Sequence, residues 1–313
     1  MFRNKFAIVI LLVIALALTG CFKKSDPNEL KSIAIDILSE DVVTVEEEES
    51  KIVLIGKTQA IQLKAVGRNA KGQPLELKDI KWSVSDEAVG KLDSDNKEEV
   101  TFTGAGQGGK LTVTVKGEKD ISASVDLVAL ELIHGLVPGY PFKDQADGFT
   151  AGNLAGNQDP RGYPLEKIAS SWNDTGHWIE WEISVPEDGE YFFVMRFAVA
   201  KGPDEPRLRD LKLMDGENVK KVLLERIELH PIEGISTSFG RHAEGWDFYI
   251  SEEPIALTKD DNQVFRMENI GGNGEGVNVA WLGFVIVDPE DLELTTKQFT
   301  TLIDKELDMP FVW

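Results

Sequence analysis

The sequence predicts an all-β protein of two β-sandwich domains behind an N-terminal apolar leader, and three observations carry that prediction. Short runs of alternating apolar and polar residues recur with turn-forming residues between them, the pattern of half-buried strands. No sustained helical periodicity appears between residues 135 and 288. The length, 313 residues, corresponds to about two domains. The composition shifts near residue 135, and Trp172, Trp178, Trp181, Trp246 and Trp281, five of the seven Trp, follow that point.

The leader comes first. Arg3 and Lys5 precede an unbroken apolar run from Phe6 to Leu18, which fits a signal-peptide core and falls short of the ~17–25 residues of a spanning helix. The run closes on Leu18-Thr19-Gly20-Cys21, and Cys21 is the only cysteine, which excludes an intramolecular disulfide and any multi-cysteine metal site. An ordinary secretory signal with a chance cysteine is the other reading. Leu18–Cys21 resembles the lipobox of bacterial lipoproteins. The resemblance implies cleavage before Cys21, a diacylglycerol thioether on its sulfur and an acylated new amino terminus. Two or more chains give stable anchoring at roughly 0.8 kcal/mol per buried CH₂. The protein is then extracytoplasmic and lipid-anchored, to the cell membrane or an outer membrane. Residues 22–30 are polar, contain Pro27 and read as a short tether.

The first domain is expected over 31–130. Strands are read at Ser32–Leu38, Lys51–Ile55, Ala60–Val66, Asp79–Val84, Val100–Thr103, Lys110–Val115 and Ile121–Ala129. The acidic run Glu46–Glu49 reads as a solvated loop, with a calcium cluster as the other reading. Ile33-Ala34-Ile35, Gly56-Lys57-Thr58 before Ile61–Ala65, Lys81-Trp82-Ser83-Val84 and Gly108–Thr114 resemble the bacterial Ig-like domain, group 2. That resemblance implies a sandwich with Trp82 in its core. Such a fold serves as spacer or adhesion unit and does not choose between them.

The second domain is expected over 135–288, after a hinge at His134–Gly139. Strands are read at His177–Val185, Glu190–Ala200, Leu208–Met214, Val219–Leu224, Asp247–Ile250, Gln263–Glu268 and Val277–Val287. Trp178 and Trp181, three apart on one strand, point to opposite faces. Residues 289–313 form an extension in which Phe299, Leu302, Ile303 and Leu307 recur at helical spacing, so a short amphipathic helix is expected there.

Three blocks of this domain, in order, are similar to family 6 carbohydrate-binding modules, galactose-binding-like jelly rolls: Gly176–Trp181 with Val185–Ala198, Gly245–Tyr249, and Gly274–Phe284. The resemblance implies a sugar cleft at the loop end of the sandwich. Its aromatics fall on Trp172, six residues before Trp178, and on Trp246, and its amide falls on Asn278. Flat aromatic rings pack against pyranose C–H faces, and an amide both donates and accepts toward sugar hydroxyls. Core or interface packing is the competing role for each of the three. Related modules also hold a structural calcium. Gln145 and Asp147 stand in the early ligand places, while the last-strand Asp place holds Ala280, which removes an oxygen donor from a metal that takes six to eight.

No HExxH, GxSxG, Walker loop or helix-opening GxGxxG occurs, so no enzyme is expected. With 54 Asp+Glu against 33 Lys+Arg, a formal charge of −21, nucleic acid is disfavoured as a partner. The expected partners are an oligo- or polysaccharide and, through the lipid, a membrane. The rival is a surface scaffold whose jelly roll has lost sugar binding and serves protein–protein contact.

Overall fold

Strand formation follows the apolar alternation, and pairing with distant strands settles the remainder. The computed structural model describes residues 29–47, 50–136, 169–172, 175–199, 205–232, 245–272 and 277–307. The first sandwich contains β1 (Ser32–Ile37), β2 (Val43–Glu47), β3 (Ser50–Ile55), β4 (Ala60–Arg68), β5 (Pro74–Leu75), β6 (Lys81–Val84), β7 (Gly90–Leu92), β8 (Glu99–Gly104), β9 (Gly109–Lys116) and β10 (Ser122–Ala129). One sheet has the order β1-β4-β8-β7, with β5 beside β4, and the other β2-β3-β10-β9-β6. The β3–β10 pair is parallel.

Alternation on β4 turns Ile61, Leu63 and Ala65 inward. They meet Phe102, Val113, Val115 and Leu127 around Trp82, which is buried as expected and donates from Nε1 to the Lys97 carbonyl at 2.8 Å. That bond satisfies the one polar atom of an otherwise apolar ring. Glu46 and Glu47 lie in β2, not in a loop. Val43 and Val45 alternate with Thr44 and pair with Leu54 and Ile52, so the strand has an apolar face that its charges mask.

The second sandwich contains β11 (Leu132–Leu136), β12 (Ala169–Trp172), β13 (Trp178–Val185), β14 (Gly189–Val199), β15 (Arg207–Asp215), β16 (Asn218–Leu229), β17 (Asp247–Ile250), β18 (Ile255–Leu257), β19 (Asp260–Gly272) and β20 (Val277–Val285). A six-stranded sheet runs β11-β20-β14-β17, with β12 also on β20 and β18 on β14, and a four-stranded sheet runs β13-β19-β15-β16. Between them lies a core of Ile179, Trp181, Phe193, Met195, Phe265, Met267, Leu282 and Phe284. Trp181 stacks on Phe265 inside, and Trp178 faces outward beneath the Arg266 guanidinium, 4.2 Å from its ring centroid, so the two Trp do take opposite faces.

The first half of the expected hinge is strand, and residues 137–139 lie outside the described residues. His134, Gly135 and Leu136 close β11, paired with Gly283, Leu282 and Trp281 of β20. The second sandwich therefore begins at Leu132, and only Leu130 and Glu131 separate it from β10. Leu130 N–H is itself bonded to the Ile55 carbonyl at 2.9 Å.

The tail forms the expected helix, α1 (Thr296–Glu306), opened by a capping box in which Thr295 and Gln298 each bond the other's backbone N–H. Its Phe299, Leu302 and Ile303 are buried on the outer face of the six-stranded sheet.

The sandwich has two unlike poles. The β13–β14 turn and the end of β20 face the first sandwich: Glu187 meets Lys57, and a Cβ on Gly108 would strike Val287 and Ile286. At the opposite pole the chain crosses between Trp172 and Trp178, Val199 and Arg207, Leu229 and Asp247, and Gly272 and Val277.

Candidate functional site

That distal pole brings the sequence candidates together. Trp172 on β12 stands opposite Val277, Asn278 on β20 opposite Ala198, and Asp247, next to Trp246, opposite Phe197 on β14. Four neighbouring strands thus deliver Trp172, Asn278 and Trp246 to one end of one sheet.

Their burial departs from an open platform. Directly paired residues of an antiparallel ladder share a face. Ala198 belongs to the outer cluster, so Asn278 lies on the outer face as well, fully buried. Trp246, for which sugar contact and core packing are the two expected roles, is 3% exposed and packs in the same cluster as Trp281, Ala198 and Ala280. α1 covers this face, with Phe299 against Phe248 and Asp304 bonded to Trp281, so an aromatic there packs into a core instead of facing water. Ala280, where the sequence resemblance leads to the expectation of a calcium-binding Asp, is part of that apolar layer. Trp172 lies in a strand and not in a polar loop, and its side chain is outside the described residues, as are Cys21, Gln145 and Asp147. Among the described residues no group of three or more His, Cys, Asp or Glu could hold a metal ion.

A polar layer that the sequence reading missed underlies the same pole. On the inner face of the four-stranded sheet, Arg209 stands opposite Asn269, and the Asn269 N–H donates to the carbonyl of His177 at 2.8 Å. Arg207 follows one row further out, opposite Gly272 and Leu229. All four side chains are at most 3% exposed. Arg209 Nη1 donates to Asn269 Oδ1 and to the Leu208 carbonyl, each at 2.9 Å, and Asn269 Oδ1 also accepts from Gly271 N–H at 3.1 Å. Burial, then the neighbouring Arg207, pulls the Arg209 guanidinium down to about 9. The alternation of Arg207, Arg209 and Leu211 was the available signal. Charge argued against an inward phase, although Arg is buried where fixed acceptors surround it. On the same sandwich, burial raises the Tyr249 and Tyr191 phenols above their ordinary value.

Two cavities lie away from this pole. One of about 390 Å³ sits at the junction among Glu40, Asp41, Leu54, Leu130, Leu132 and Glu306, and one of about 240 Å³ lies among Phe248, Ile250, Pro289, Leu294 and Phe299.

No protein-family model matches the chain, and no curated protein matches it. Solved structures do. The family 6 carbohydrate-binding module of lichenase 5A from Cellvibrio mixtus, in complex with cellotriose, is 15% identical over 50% of this chain and 97% of its own, with a TM-score of 0.28. The C-terminal family 6 module of a laminarinase from Zobellia galactanivorans is 16% identical over 44% of this chain and 97% of its own, TM-score 0.27. A family 35 module from Clostridium thermocellum is 18% identical over 51% and 88%, TM-score 0.27. At such scores none of these likenesses carries weight for function, and the sandwich rests on its own strand pairing.

Proposed function

We propose that the protein is a lipid-anchored, extracytoplasmic carbohydrate-binding protein that acts without catalysis, with its contact surface at the distal pole of the second sandwich. One observation carries the reading: the register of β12, β20, β14 and β17 converges Trp172, Asn278 and Trp246 on the pole opposite the first sandwich. Trp172 is the proposed stacking residue. Asn278 and Trp246, both buried, are proposed to fix the end of the sheet that carries it. A shallow site of this kind supports about −4 to −7 kcal/mol.

The anchor is proposed at Cys21, and a structural calcium at Gln145 and Asp147. Cys21→Ala should move the protein from the detergent phase to the aqueous phase. If calcium binds, chelation lowers the melting temperature.

The decisive experiment is electrophoresis through gels containing a panel of neutral and acidic polysaccharides, using the chain without residues 1–20 and with Cys21→Ser. The expected result is retardation by at least one polysaccharide, lost in Trp172→Ala while the melting temperature is unchanged. A folded protein retarded by none of them, or a Trp172→Ala variant retarded equally, overturns the reading. The rival, a surface scaffold, is favoured by the burial of Trp246 in a cluster shared with the first sandwich. It predicts that outcome.

A further inference from the structure

We infer that helix α1 is an intramolecular clamp that makes the two sandwiches one cooperative, rigid body. The first support is a single apolar cluster with three contributors. Val45, Ile52, Leu54, Val128 and Leu130 come from the first sandwich and its exit, Val194, Ala198, Trp281 and Val285 from the second, and Phe299, Leu302 and Ile303 from the helix, with Leu307 from its C-cap. Either sandwich alone would expose its share of that surface to water.

The second support is polar and directional. Consecutive residues of α1 reach to opposite partners. Asp304, 2% exposed, accepts a hydrogen bond from Trp281 Nε1 at 2.8 Å in the second sandwich, and Lys305 Nζ donates to the Thr44 carbonyl in the first. A carboxylate taken that far out of water is held by such bonds, so the helix has one seating and not a sliding one.

The third support is a separate contact that prevents rotation about the helix. Lys57 bridges Glu131, at 2.6 Å, and Glu187 of the β13–β14 turn, and Gly108 admits Ile286 and Val287 to its backbone. With Leu130 bonded to Ile55, the two-residue connection adds no slack.

Residue-resolved amide hydrogen exchange on the full chain tests the clamp. Ile303 is fully buried in the shared apolar cluster. Ile303→Ala should accelerate the slowest amides of β3 and β10 and those of β14 and β20 by the same factor, on the order of a hundredfold. Acceleration confined to β14 and β20 overturns the inference. Ile303→Asp adds a second reading by calorimetry: splitting into two transitions, or joint loss of both sandwiches, supports the clamp, and an unchanged single transition refutes it. Two transitions in the unsubstituted protein would refute it outright.

Discussion

The two sheets of the second sandwich share one core but treat their outer faces differently. Every residue of β20 is buried, and so are Tyr191 and Phe193–Val199 of β14, because the six-stranded sheet has a core on each side. The four-stranded sheet alternates. Its outer face carries Arg266 paired with Glu180, and Lys212 between Glu268, at 2.7 Å, and Asp210, at 3.8 Å. On β16 it leaves Val219 and Val222 exposed. A tryptophan therefore means different things on the two sheets. Trp281 and Trp246 are packing on a face that was never free, while Trp178 is an apolar base covered by a charged ladder.

That contrast can be tested by substitution, and the largest effect belongs to Trp281→Ala. The ring is fully buried, packs on Phe248 and is bonded to Asp304, so about 3–5 kcal/mol should be lost in urea unfolding. Trp246→Ala should cost nearly as much, roughly 3 kcal/mol. A surface platform would lose binding with almost no change in midpoint, so a shift below about 0.5 kcal/mol would return Trp246 to the surface. On the other sheet, Arg266→Ala should cost about 1–3 kcal/mol, since Glu180 keeps a buried carboxylate with less to hold it. Val219→Thr, on the exposed edge, should stay within about 0.5 kcal/mol of no change. Equal costs at Trp281 and Val219 would erase the distinction between the two faces.

The sequence disclosed the strands whose alternation meets one core: β4, β13 and β17 appear close to where the pattern puts them. It concealed β2, β11 and β12, for one physical reason. Each is defined by its partner, β2 by β3 and the other two by β20, while its own residues carry acid, glycine or serine that argue for loops. The double-sided burial was also written in the chain. Ile52-Val53-Leu54-Ile55 and Leu127-Val128-Ala129-Leu130 are continuous apolar runs, which strands buried on both faces require and half-buried strands do not. The convergence of Trp172, Asn278 and Trp246 on one pole was legible from their block order. Their depth was not, because burial depends on which element covers a face, and that element lies at the far end of the chain. The inward Arg207 and Arg209 were hidden similarly, since their acceptors come from β19 and backbone, not from neighbours in sequence.

The parallel pairing of β3 with β10 has a mechanical consequence. Because β10 runs alongside β3 while β1 runs against β4, the chain enters the first sandwich at one end and leaves it at the other. β11 continues from that exit toward the distal pole. A pull between residue 29 and a load held at the pole draws β1 along its own axis. Its hydrogen bonds to β4, from Ser32 opposite Arg68 to Ile37 opposite Leu63, lie across that direction and are loaded in shear, all at once instead of one after another. The resistance of the molecule to force is then set by how fast this six-residue ladder gives way, a kinetic property and not its equilibrium stability.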